Sequence, residues 1–168
     1  IKIENKEQSD SVLSDLDGES YVVKGVKKGS RKKNPTPPFI TSTLQQEASK
    51  TLNFATAKTM RIAQQLYEGV DVDGRGTIGV ITYLRTDSTR VADEAKEASE
   101  QYIAANYGEK YLPHSGLRKK DDKKIQDAHE AIRPTDIALT PVMIKDSLSR
   151  DQFRLYQLIW KRFTASQM

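Results

Sequence analysis

Residues 77–90 read TIGVITYLRTDSTR, with Ile78, Val80, Thr82 and Leu84 alternating with Gly79, Ile81, Tyr83 and Arg85. A period of two is that of a half-buried strand, so 77–85 is expected to be extended with Tyr83 and Arg85 on one face. A phenol and a guanidinium then stand side by side. Thr86, Asp87 and Ser88 are capping residue types ahead of a long helical pattern. A strand running into a helix start is a good place to hold a phosphate, because the first N–H groups of a helix have no partners within it. A tyrosine on a strand is more often a packing residue with its hydroxyl satisfied locally. The run YLRTDST around Tyr83 is what argues for chemistry instead.

At 168 residues the chain is long enough for one domain, or one domain with a piece of another. It begins at Ile1, and its last helical pattern reaches Met168 without a stop signal; a piece excised from a longer protein is the expectation. There is no cysteine, which excludes disulfides and thiolate zinc sites and fits a reducing, cytoplasmic setting. No apolar run is as long as a membrane span or a signal sequence, so no membrane partner is expected. The net charge of +4 is modest, but its distribution is uneven. Lys24, Lys27, Lys28, Arg31, Lys32 and Lys33 fall within ten acid-free residues, and Arg118 to Lys124 adds five more bases. Such clusters suit phosphate backbones, although many are only solvated surface.

Taken in order, residues 1–19 are polar, with Asp10, Asp15, Asp17 and Gly18 interrupting any apolar period; an irregular lead-in is expected. Tyr21-Val22-Val23 is a short strand candidate, and Pro35, Pro37 and Pro38 make 29–38 an extended connection. Thr41, Ser42 and Thr43 ahead of Gln45 and Gln46 mark the start of a helix over 41–52, with Leu44, Ala48 and Leu52 on one face. A second helix is expected over 55–68, with Met60, Ala63 and Tyr67 inward, Lys58, Arg61 and Gln65 on the opposite face, and Gly69 as its stop. Two helices, a Gly-containing loop and a strand follow the order of a winged helix-turn-helix, although an ordinary helical hairpin fits as well. A third helix is expected from Thr89 to Gly108 with Val91, Ala95, Ala98 and Tyr102 as its apolar stripe, followed by a long loop over 109–126. DAHEAIRPTD (127–136) gathers His129, Glu130 and Arg133 within five positions. Two more helices are expected after it, one from Thr140-Pro141 and one behind a Ser149/Gln152 capping box, whose Phe153, Tyr156, Ile159, Trp160 and Phe163 form a core stripe.

YLRTDST resembles the active-site segment of type IA DNA topoisomerases, in which Tyr, a hydrophobic residue and Arg-Thr-Asp-Ser mark the cleaving tyrosine. The hydrophobic residue, usually Met there, is Leu84 here, a swap that keeps volume and apolarity. PPFITSTLQQEAS, AQQLYEG, AHEAIRPTD and LYQLIWKRF resemble four further blocks of bacterial topoisomerase I, in the same order. The resemblance implies a mainly α, winged helix-turn-helix-like, tyrosine-bearing domain over 37–168, with residues 1–36 the end of an adjoining β-rich arch domain. It implies that Tyr83 attacks one strand of underwound or single-stranded DNA, forms a 5′-phosphotyrosyl link and frees a 3′-hydroxyl until a reversal reseals the strand. A phenol suits that cycle because it is a far better leaving group than an alcohol, so resealing needs no external energy. On the same resemblance Arg85 stabilises phosphate charge, Asp87 and Ser88 hold the corner, His129 and Arg133 contact phosphate or nucleotide, and Glu130 orients His129. Lys58, Arg61 and Gln65 would contact DNA. Mg2+ is implied for the full-length enzyme and belongs to a Toprim domain without counterpart here, so no metal site is expected in this chain and the chain alone is expected to be inactive. The competing expectations are a winged-helix DNA-binding module without chemistry and a purely structural helical scaffold. The side to which Tyr83 points discriminates them.

Overall fold

The computed structural model of the chain describes residues 2–31, 33–113 and 129–168. The basic run Arg118–Lys124, Asp127, Lys32 and the expected loop beyond residue 113 lie outside the described residues. Among the described residues there are five α-helices and one two-stranded sheet, a mainly α fold as the sequence implied. The chain divides into two compact units, Ile1–Lys33 and Asn34–Met168.

The first unit departs from expectation. Lys6–Leu16 is a helix, α1, where an irregular lead-in was expected. Asn5 accepts the Gln8 N–H at 2.9 Å and the Gln8 side chain accepts the Glu4 N–H at 2.9 Å, so one orphan amide of the first turn and that of the residue before the cap are satisfied. Helix α1 buries no residue, so Asp10 and Asp15 stay solvated within it. Gly18, at φ +82°, follows its end, the left-handed position glycine takes at little cost. Tyr21, Val22 and Val23 are exposed and in no strand, although the sequence marks them as one.

In the second unit α2 (Thr41–Leu52) and α3 (Thr56–Glu68) occupy the expected positions. Asn53 joins them in the left-handed region at φ 57°. The start of α2 is closed differently from the expectation: Thr43 Oγ1 accepts the Ile40 N–H at 3.0 Å, and Gln45 and Gln46 take no part. The inward face of α3 is Thr59, Ile62, Ala63 and Leu66, rotated from the expected Met60-Ala63-Tyr67 line, so Tyr67 is left 39% exposed.

Val70–Val72 (β1) and Gly76–Ile78 (β2) form an antiparallel hairpin. The strand expected over 77–85 therefore stops at Ile78. Beyond it Ile81 bridges Pro134 of the distant 131–134 segment in the antiparallel sense, and Ile132 of the same segment bridges Phe39 ahead of α2. Proline cannot donate to a ladder, so regular pairing is not continued there.

Helix α4 (Asp93–Asn106) starts four residues later than expected. Thr86 Oγ1 accepts the Ser88 N–H, Ser88 Oγ accepts the Arg90 N–H, and the Arg90 carbonyl accepts the Ala131 N–H at 2.8 Å. Residues 86–91 are thereby tied down as an extended corner, and the hydroxyls expected to cap a helix there make local turns instead. The inward face of α4 is Ser99 and Ile103, with Ala95 and Tyr102 partly buried and Ala98 exposed. Gly108, at φ +97°, ends the helix as expected.

After Thr140 the chain makes turns and a short 3-10 segment, Lys145–Ser147, where an α-helix was expected. Helix α5 (Arg150–Ser166) then starts at the expected capping box, with the Ser149 N–H on Gln152 Oε1 at 2.9 Å and the Gln152 N–H on Ser149 Oγ at 3.3 Å. Its Tyr156, Ile159, Trp160 and Phe163 are buried, as the stripe implied. Helices α2, α3 and α5 pack on one another around a core running from Phe39 to Phe163. Each fully buried Leu, Ile or Phe there contributes roughly 1.5–3 kcal/mol.

Candidate active site

The segment after β2 is fastened at alternate residues, Val80 and Thr82. The Val80 N–H donates to Leu66 O at 2.8 Å, the Thr82 N–H to Arg133 O at 2.9 Å, and Thr82 Oγ1 to Ala131 O at 2.7 Å. Leu84 is 1% exposed and Thr86 is buried, whereas Tyr83, Arg85 and Asp87 are exposed. The expected alternation thus holds from Thr82 to Asp87 and puts the phenol and the guanidinium on one solvent-facing side. It fails at Ile81, which shares the Tyr83 parity but is buried, where the backbone bridges Pro134.

The corner that follows rests on the first turn of α2. Thr41 Oγ1 donates to Leu84 O at 2.8 Å and Thr86 O at 3.0 Å and accepts the Thr86 N–H at 2.9 Å. Arg85, Thr86 and Asp87 thereby form one wall of an open concavity of about 390 Å³, with Ile40, Thr41 and Ser42 of the α2 start and His129 opposite. The helix start beside the corner is that of α2, not the expected one after Ser88. Tyr83 lies outside the lining of this concavity; its ring packs edge-on against Tyr67, centroids 5.4 Å apart and planes at 66°. An arginine and an imidazole beside a helix start, around one opening, are groups suited to phosphate oxygens, although the Ile40 and Thr41 N–H groups of that start are already bound to Thr43 Oγ1 and Thr86 O. Ser88 makes two hydrogen bonds within the corner, from its N–H to Thr86 Oγ1 and from the Arg90 N–H to its own Oγ.

The other expected site residues are divided. Arg133 is largely buried, pairs with Glu130 at 2.8 Å and donates from Nη1 to Pro134 O at 3.0 Å. Glu130, expected to orient His129, thus gives its carboxylate to Arg133. Arg133 borders a separate cavity of about 220 Å³ between α4, α5 and residues 134–137, so its guanidinium is not gathered with His129. Lys58 pairs with Asp151 at 2.6 Å and sits 4.2 Å from the Phe54 ring centroid. That hydrogen bond holds the Asp151 carboxyl below its ordinary range. Gln65 accepts from Gln152 Nε2 at 3.2 Å. Two of the three polar side chains of α3 thus pack against α5 and its start, while Arg61 is exposed.

The family model described as DNA topoisomerase matches residues 1–168. The chain belongs to the DNA topoisomerase family. The solved structure of full-length topoisomerase I from Thermotoga maritima matches it with a TM-score of 0.77 and 48% identity, over 94% of this chain and 25% of that one. This places the chain with the bacterial type IA topoisomerases. It spans about a quarter of the length of the Thermotoga topoisomerase.

In this topoisomerase chain three residues that position the site escaped the sequence reading. Thr41 and Thr82 bond to backbone 45 and 49 residues away, and a lone threonine at a helix start or on a strand carries no local sign of that. Tyr67 was assigned inward, and only the rotation of α3 brings its ring to Tyr83. The legible signal for it would have been Ile62 and Leu66, whose spacing defines a better apolar face than Met60 and Tyr67.

Proposed function

We propose that this chain carries the cleaving tyrosine of a type IA topoisomerase that passes one DNA strand through a transient break in another and relaxes negative supercoils. In that reading Tyr83 Oη attacks a phosphodiester phosphorus. The bond from phosphorus to the 3′ oxygen of the preceding nucleotide breaks, that oxygen takes up a proton, and the 5′ phosphate stays on the tyrosine. Reversal by the 3′-hydroxyl reseals the strand. Arg85 and His129 bind the phosphate beside Tyr83, Arg85 bidentately and without accepting a proton. Glu130 and Arg133 stiffen the segment that carries His129, Asp87 borders the phosphate opening, and Arg61 contacts DNA with support from Lys58 and Gln65. Residues 1–36 belong to an adjoining domain.

The observation that carries the reading is that Tyr83 and Arg85 are both exposed while Leu84 between them is buried. A packing tyrosine would be turned the other way. Mg2+ in the full-length enzyme would need a convergent set of carboxylates, and among the described residues no three Asp, Glu, His or Cys side chains converge. The described residues do not fit it. The chain alone is therefore expected to bind DNA without cutting it.

Covalent trapping tests the reading. Full-length enzyme mixed with 3′-end-labelled single-stranded DNA should form a denaturant-resistant adduct that Tyr83→Phe abolishes while leaving the melting midpoint unchanged. An adduct that survives Tyr83→Phe rules Tyr83 out as the nucleophile. A non-catalytic winged-helix module draws support from the α2, α3, hairpin order, and it predicts DNA binding with no adduct from the parent protein.

A further inference from the structure

We propose that Tyr67 is a positioning residue for Tyr83, fixing the direction in which the phenol is presented; this rests on the reading of Tyr83 as the nucleophile. Tyr83 is 46% exposed, and a ring so open has several staggered χ1 wells available. Its recorded ring neighbour is Tyr67, in the last turn of α3, at 5.4 Å and 66°. In that edge-on arrangement the positive rim of one ring meets the negative face of the other, which favours one orientation over its alternatives.

The backbone beneath the two rings is rigid. Leu66 and Val80 are fully buried and joined by the Val80 N–H to Leu66 O bond of 2.8 Å. A Cβ built on Gly79 would lie 2.4 Å from Tyr67 O, so the end of α3 and the chain leading to Tyr83 touch where only glycine fits. Thr135 Oγ1 closes the other side by donating to Gly79 O at 2.8 Å. The backbone from which the two rings project is therefore set by buried contacts, and the ring of Tyr67 is the neighbour against which Tyr83 leans. Tyr67 touches no reacting atom in this arrangement. It acts through Tyr83.

The contact should be visible in rate rather than in affinity. An aromatic pair of this kind, if lost, should slow covalent adduct formation roughly three- to tenfold. In full-length enzyme, single-turnover adduct formation with labelled single-stranded DNA is measured beside DNA affinity and melting midpoint. Tyr67→Leu should slow the adduct step with affinity unchanged, and Tyr67→Phe, which keeps the ring, should restore it. Tyr67→Gln, a good helix former, provides a second ring-free variant should leucine disturb folding. A parental rate in both ring-free variants overturns the proposal. So does a slow Tyr67→Phe, which would transfer the role to the hydroxyl, or a loss confined to affinity, which would make Tyr67 a DNA contact. If Tyr83→Phe in the same series still forms the adduct, the nucleophile reading fails instead, so the two failures are distinguishable.

Discussion

At Tyr156 a phenol lies buried in the packing of α5 and donates to Leu139 O at 2.6 Å. Burial, aided by the charge of Asp136, raises its pKa far above the ordinary phenol value. Folding thus favours the protonated form. Stability from this group is fully present below about pH 10, the unfolded value, and declines as pH rises beyond it, because the unfolded chain then releases a proton that the native state retains. Tyr102, also raised by burial and by Tyr107, adds in the same direction. Urea unfolding at stepped pH should show stability falling above about pH 10, and Tyr156→Phe should make that fall shallower. The same variant should cost about 1–3 kcal/mol at neutral pH, because Leu139 O loses its donor in the interior. None of this is legible beyond the placement of Tyr156 in the core stripe, since its acceptor comes from the turn ahead of Thr140, which no local pattern marks.

Among the elements, those specified by near neighbours were read well and those specified by distant ones were not. Helices α2, α3 and α5 follow from apolar spacing and from caps within four residues. The strand expected over 77–85 and the early start of α4 both failed at the segment that pairs with 131–134, whose influence no window of local sequence contains. Helix α1 escapes for a different reason: Asp10, Asp15, Asp17 and Gly18 interrupt the apolar period, but a helix that buries no residue needs none, and Asn5 and Gln8 cap it. The contact between α3 and the end of the hairpin makes the sharpest element-level prediction. Gly79→Ala introduces a Cβ at 2.4 Å from a backbone oxygen, so the strand must move, at a cost of about 1–3 kcal/mol. Gly29→Ala, with open space around its Cβ position, should be nearly neutral. Denaturant midpoints of the two variants decide it, and equal midpoints would mean that the contact is soft.

For the whole molecule, net charge says little and its local arrangement says more. The chain carries only four excess positive charges, so long-range attraction is weak and any phosphate affinity must come from specific cations such as Arg85. In the full-length enzyme the dependence of single-stranded DNA affinity on salt should therefore flatten by about one unit of log–log slope when Arg85 is replaced by Ala. An unchanged slope would remove Arg85 from the phosphate contacts. The pair Tyr83 and Arg85 was legible because two-residue periodicity is a local property that survived the irregular pairing. The concavity beside it was not, since it joins the start of α2 to residues 85–87 and 129, and the pairing of Lys58 with Asp151 across helices left no trace in the pattern of α3.

The Thr82 hydroxyl, bonded across 49 residues to Ala131 O, also has a meaning in time. A closure of that span is entropically costly before it is rewarded, and contacts of high sequence separation slow folding and tend to form late. The helical pair and its hairpin can assemble from neighbours, after which the 131–134 segment is laid down as a final clasp. Removing the hydroxyl by Thr82→Val should then leave the refolding rate nearly unchanged and speed unfolding roughly tenfold. A refolding arm that slows instead would put the clasp in the nucleus, and the site wall carrying Tyr83 would be among the first parts of the protein to form.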